Sequence, residues 1–161
     1  MEQHADVILP DGSPMGFFGE GNDGSFNKSG MGMHGMVYDY SELLKHRPYY
    51  IDCATAKGYN VISTFLIFYV GGAEAKKFSD YWANLDKSPG SFNILGGNCS
   101  TRASGAFQAA GILSGGIPGL DTPNNLYLQL YREKGKTARI DSGYIGFSPR
   151  TGGFDLLVDV P

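Results

Sequence analysis

The chain has 161 residues, 42% hydrophobic and 13% aromatic, which is enough to bury one substantial core and is most simply a single domain over residues 1–161. A formal charge of −3, with 13 scattered Lys and Arg, gives no electrostatic basis for a nucleic-acid backbone as the main partner. The longest apolar run, Val61 to Val70, is about half of what a membrane span requires. The polar and acidic opening Met1 to Asp6 lacks the pattern of a secretory signal peptide, so the expectation is synthesis in the cytoplasm.

In chain order, Ala5 to Leu9, ended by Pro10-Asp11-Gly12, and Met15 to Gly19 read as a β-hairpin with His4 at the entrance of its first strand. Glu20 to Gly35 is rich in Gly, Asn and Ser and is expected to be an irregular loop, long enough for a lid or a binding loop. Met36 to Tyr38 reads as a strand and Tyr40 to Lys45 as a short helical turn before Arg47-Pro48. Tyr49 to Ala54 and Val61 to Val70 are β-branched and aromatic and read as strands, part of the second with helical character.

After Gly71-Gly72, Phe78, Tyr81, Trp82 and Leu85 recur at i, i+3, i+4 and i+7, which predicts an amphipathic helix ending near Pro89-Gly90. Ser91 to Leu95 is a brief extended lead into Gly96-Gly97-Asn98-Cys99. From there Ala103, Ala106, Phe107 and Ala110 predict a second helix, closing at Gly111 and followed by a loop through Pro118. Thr122-Pro123 is an N-cap followed by proline at the first helical position, so Asn124 to Lys134 reads as a third helix with Leu126 and Leu130 inward. Thr137 to Phe147 and Phe154 to Val160 form either a terminal hairpin or two separated edge strands.

The chemistry concentrates at Cys99. At the start of a helix, unpaired backbone N–H groups and the positive end of the dipole favour a thiolate, the reactive form of cysteine. The Cys99 N–H is a candidate oxyanion donor, and the Asn98 side chain is a second. A buried structural thiol shares the same position, and a Cys53–Cys99 bridge is a further, less favoured arrangement. Three histidines compete for the base: His4 at a strand entrance, His34 in the Gly/Met loop and His46 in a polar connection. There is no phosphate-cradling Gly-Lys-Ser/Thr sequence and no zinc-ligand spacing, so no metal or cofactor is expected. Asp121, Asp141, Asp155 and Asp159 are dispersed and read as solvated turn or strand residues, and Tyr49-Tyr50 with Tyr59 to Tyr69 reads as core.

His4-Ala5-Asp6-Val7-Ile8-Leu9-Pro10-Asp11-Gly12, a hairpin partner containing Phe17-Phe18, and Asn98-Cys99-Ser100-Thr101-Arg102 on a downstream helix resemble the permuted branch of the NlpC-type papain-like superfamily. This branch includes lecithin:retinol acyltransferase-like enzymes and small bacterial toxin domains, and its histidine strand precedes its cysteine helix. The resemblance covers roughly residues 4 to 20 and 91 to 112 and rests on short motifs. It implies an α+β papain-like domain in which an antiparallel sheet packs against the nucleophile helix and further helices, with Cys99 as nucleophile and His4 as base. A second histidine on the neighbouring strand is usual in the acyltransferase-like members. Met15 to Phe18 has none, which leaves Glu20 and His34 as orienting candidates beside a backbone carbonyl or a water.

Three functional readings compete, the first two on the scaffold that the resemblance implies. The first is a cysteine-dependent amide hydrolase cutting peptide bonds of peptidoglycan stem peptides. As an interbacterial effector it would be delivered by a type VI apparatus to the periplasm of a target cell, with a cognate immunity protein as partner. The second is an acyltransferase or lipid-ester hydrolase on the same scaffold, and the third a non-catalytic interaction module of a secretion assembly, in which Cys99 is buried and unreactive.

Overall fold

A computed structural model describes residues 4–39, 63–115, 122–148 and 153–157. The readings of Tyr40 to Lys45, Tyr49 to Ala54 and the 116–121 loop lie outside these residues, as do His46 and Cys53. Strand β1 (Val7–Ile8) and strand β2 (Pro14–Glu20) form the expected antiparallel hairpin, with Val7 opposite Met15. Gly12 turns the chain between them with φ of 90°, a backbone that side-chain-bearing residues rarely adopt.

Residues 20–35 are more ordered than their composition implies. Strand β3 (Phe26–Asn27) pairs with Gly19 and Glu20, and strand β4 (Met33–Asp39) runs back along β2 with Phe17 opposite Val37. Strand β6 (Ser91–Phe92) adds to β4, giving a sheet of order β1-β2-β4-β6 with β3 on the end of β2. A continuous lid across this stretch is therefore excluded: strand pairing interrupts it at Phe26–Asn27 and from Met33 onward, which leaves the 21–25 turn and residues 28–32 outside strands.

Strand β5 (Ser63–Ile67), strand β7 (Arg139–Ser148) and strand β8 (Gly153–Leu157) make a separate three-stranded antiparallel sheet. The tail is thus a hairpin pair rather than two separated edge strands, and residues 68–70 continue β5 as irregular chain without turning helical. The single sheet expected from the sequence is two among the described residues. Alternation within one strand identifies a buried face but not the strand it pairs with.

Helix α1 (Gly72–Lys87) starts at Gly71, whose N–H donates to Glu74 Oε2 at 2.7 Å, and buries Phe78, Trp82 and Leu85. Helix α2 (Cys99–Ala109) buries the predicted Ala103 and Ala106, and Gly111 with φ of 76° follows its end. Phe107 is half-buried and packs on Phe78 with ring centroids 4.8 Å apart. Helix α3 (Pro123–Lys134) has Thr122 as its cap, the hydroxyl accepting from Asn125 N–H at 3.2 Å, and turns Leu126 and Leu130 inward. Among the described residues the architecture is α+β, three helices with antiparallel sheet. Its core joins Val7, Met15, Phe17 and Phe92 of the first sheet to the buried faces of all three helices. None of the helices is long and apolar enough to cross a membrane, among the described residues.

Strand β2 is the centre of this arrangement. Pro14 to Glu20 should expose alternate residues, yet every residue from Pro14 to Gly19 is buried. Phe17 faces the helices, and its neighbour Phe18, on the other side of the strand, is equally buried. The helices account for one face; His4 and Phe26 cover part of the other.

Candidate active site

The site begins with two locally determined features. Asn98 caps α2: its Oδ1 accepts from Thr101 N–H at 3.0 Å and from the Thr101 hydroxyl at 3.0 Å. Its Nδ2 donates to the Ile94 carbonyl at 2.9 Å, so the cap also fastens the preceding turn. This places Cys99 at the first helical position, where the N–H groups of the opening turn have no intrahelical acceptor. The second feature is the extended chain leading into β1, where His4 and Asp6, two residues apart, point the same way.

Asp6 is the residue that sequence reasoning missed. His4 Nε2 and Asp6 Oδ1 are 2.5 Å apart, with side chains only 4% and 9% exposed. Since a carboxylate only accepts, Nε2 carries the proton, and the basic nitrogen of the neutral ring is Nδ1. Nδ1 is buried with no aligned hydrogen-bond partner. The ring and the Cys99 thiol nevertheless lie close enough to act on each other as hydrogen-bonding and charged partners. The His4 ring also stacks on Phe18, with centroids 4.6 Å apart and planes within 20°. A flat apolar wall on one face and a carboxylate at one edge leave the imidazole little freedom to turn.

The electrostatics of the pair are reciprocal. Burial acts to lower the pKa of His4, but the Asp6 charge, the Asp6 hydrogen bond and the Cys99 contacts together raise it well above its ordinary value. Burial acts to raise the pKa of Cys99. It is outweighed by the neighbouring His4 ring and its charge, by the Ala5 backbone N–H and by the Ser100 hydroxyl, so the thiol is held below its usual range. Ser100 is fully buried beside the sulfur, its Oγ 3.8 Å from Sγ. Both shifts run toward a thiolate–imidazolium pair, and Cys99 is a free thiol.

The other candidates do not join this cluster. Glu20 is exposed at the end of β2, paired with Phe26. His34 is exposed on β4, opposite Ser91 and two strands away from β1. Among the described residues, the side chains that act on the His4 ring beside the effect of burial are Asp6 and Cys99. Asn98, taken from the sequence as a side-chain oxyanion donor, spends its carbonyl on the cap and an N–H on Ile94, so the backbone N–H groups of the first turn are the better-placed donors. No group of three His, Cys, Asp or Glu side chains is arranged to hold a metal ion, among the described residues. The signal for Asp6 was present in the sequence: a carboxylate at i+2 from a histidine in an extended segment shares its side, whereas Glu20 and His34 were sought on neighbouring elements.

The chain matches no family model, no curated protein and no solved structure.

Proposed function

We propose that this protein is a cysteine-dependent amide hydrolase of papain-like type, with Cys99 as nucleophile, His4 as general base and acid, and Asp6 as the group that orients His4. The observation carrying this reading is the polar cluster itself: a buried thiol at a helix start, a histidine that acts on it and a carboxylate 2.5 Å behind the histidine, with the last two side chains 4% and 9% exposed. In the step this geometry supports, His4 Nδ1 holds the Cys99 proton while the sulfur attacks a carbonyl carbon. Charge developing on the carbonyl oxygen falls near the Cys99 and Ser100 N–H groups at the start of α2, the Thr101 N–H being taken by the Asn98 cap. His4 then gives the proton to the departing amine, leaving a thioester. Water, deprotonated by His4, hydrolyses it and restores the thiol. Asp6 keeps the protonated ring stable through both halves.

The substrate in this reading is the stem peptide of peptidoglycan, with the chain acting as an interbacterial effector and an immunity protein as its partner. Purified protein incubated with peptidoglycan sacculi is expected to release new amino termini, and Cys99→Ala to lower that release by about 10⁴-fold or more. Full activity in the Cys99→Ala protein would end the proposal.

One observation favours a second reading. Cys99 is only 5% exposed, as expected for a non-catalytic interaction module in which the cluster is structural. A small electrophile separates the two, since a module predicts slow alkylation at neutral pH, while the hydrolase predicts rapid, Cys99-specific alkylation.

A further inference from the structure

We infer that Arg102 is a positioning residue that fixes the Cys99 helix against strand β2 and so sets the distance between the Cys99 sulfur and the His4 ring. This rests on the dyad proposed above. Arg102 lies three residues beyond Cys99, in the first turn of α2. Its Nη2 donates to the Pro89 carbonyl at 3.3 Å and reaches the Ser91 carbonyl at 3.5 Å, while the guanidinium carbon sits 5.1 Å from the centroid of the Phe17 ring.

These contacts lead to the rest of the site through the sheet. Pro89 and Ser91 flank Gly90, whose carbonyl accepts from Gly35 N–H at 2.7 Å, and Ser91 pairs with His34 of β4. Phe17 belongs to β2, and the next residue, Phe18, stacks on His4. Two adjacent rings on one strand therefore engage the two halves of the dyad, Phe17 through Arg102 on the cysteine side and Phe18 directly on the histidine side.

The seat of the guanidinium is tight. A Cβ at Gly90, where φ is 69°, would lie 3.4 Å from Arg102 Nη2, and a Cβ at Gly35 would lie 2.5 Å from Phe17 Cζ. By contrast, the buried α2 residues that follow, Ala103 and Ala106, are small and form low ridges that resist sliding of a helix along its axis poorly. A guanidinium that reaches two carbonyls through Nη2 while sitting over the Phe17 ring ties this turn of the helix to the sheet, and the shorter reach and smaller apolar face of a lysine ammonium reproduce that seat only in part.

Arg102 is not among the groups that perturb the Cys99 thiol, which are His4, the Ala5 N–H and the Ser100 hydroxyl, with Asp6 acting on His4 from behind. Its effect on the sulfur is therefore through placement, and this makes it testable. Thiolate formation in the full-length protein can be followed by ultraviolet absorbance against pH, as the difference from Cys99→Ala, alongside the thermal midpoint. In Arg102→Met the thiol titration is expected to move up by about one unit, and in Arg102→Lys by part of that. An Arg102→Met protein that melts lower but titrates like wild type would show a merely structural arginine and overturn the inference. Should Arg102→Met not fold, Arg102→Lys decides in the same way: an upward shift supports the inference and an unchanged titration overturns it. Wild-type Cys99 titrating as an ordinary thiol would instead overturn the dyad itself, whatever the Arg102 variants do.

Discussion

Two ion pairs of the same length sit beside one described sheet and on the other. His4 and Asp6 meet at 2.5 Å beside β1, and Arg139 and Asp141 meet at 2.5 Å on β7. The first pair is 4% and 9% exposed, the second 66% and 32%. Distance is therefore not what separates them. Around Arg139 water screens the charges and competes for every hydrogen bond, so the pair contributes little beyond the geometry it records. Around His4 water is largely excluded, the carboxylate controls the protonation of the ring, and the ring controls the thiol of Cys99. The same contrast extends to the strands. Strand β2 is buried from Pro14 to Gly19, whereas no residue of β5 is fully buried.

The sharpest way to break this contrast is Asp6→Asn. Leaving a buried histidine without its carboxylate should cost about 3 kcal/mol in urea unfolding, and hydrolytic activity, where detected, should fall by about 10² to 10⁴-fold. The pH dependence has a definite sign. Folding raises the pKa of His4, so the pair's stabilisation is fully present below the unfolded value of about 6.5 and is lost as pH rises through the raised folded value. The stability gap between wild type and Asp6→Asn should accordingly be widest near or below that unfolded value and narrow on the alkaline side. A gap that widens with pH would mean that Asp6 does not act through His4.

Asn98→Ala is expected to have a middling effect. It removes the cap of α2 and the tie to Ile94, at about 1 kcal/mol in thermal or urea unfolding. Because backbone N–H groups rather than the Asn98 amide face the sulfur in our reading, activity should fall less than in Asp6→Asn. A larger loss would restore Asn98 as an oxyanion donor. The smallest effect belongs to the exposed pair: Arg139→Gln should change stability by no more than about 0.5 kcal/mol and leave the Cys99 titration where it is. A change as large as that of Asp6→Asn would remove burial as the explanation for the difference between the two pairs.

Much of the framework was legible in the residues because it is local. Phe78, Trp82 and Leu85 at helical spacing gave α1, Thr122-Pro123 gave the start of α3, and the glycine turn before Asn98 put Cys99 at a helix start. Pairing was less legible. Residues 20–35 read as loop because Gly, Asn and Ser dominate, but Phe26–Asn27 and Gly35 pair with β2 and Met33 and His34 pair with β6, and Gly35 is required where Phe17 and Gly90 approach its backbone. The two-sheet arrangement was hidden for a related reason. Val61 to Val70 and Thr137 to Phe147 are recognisable as strands one at a time, but nothing in either names the other as its neighbour.

The sequence by itself determined where the thiol stands on its helix and that His4 leads into a hairpin, since capping, turn chemistry and periodicity act over a few residues. Only the tertiary structure decided that Asp6 and His4 share a desolvated corner, that Phe18 backs the ring and that the first turn of α2 meets them there. Those contacts depend on strand register and on the exclusion of water, which are properties of packed elements rather than of neighbouring residues.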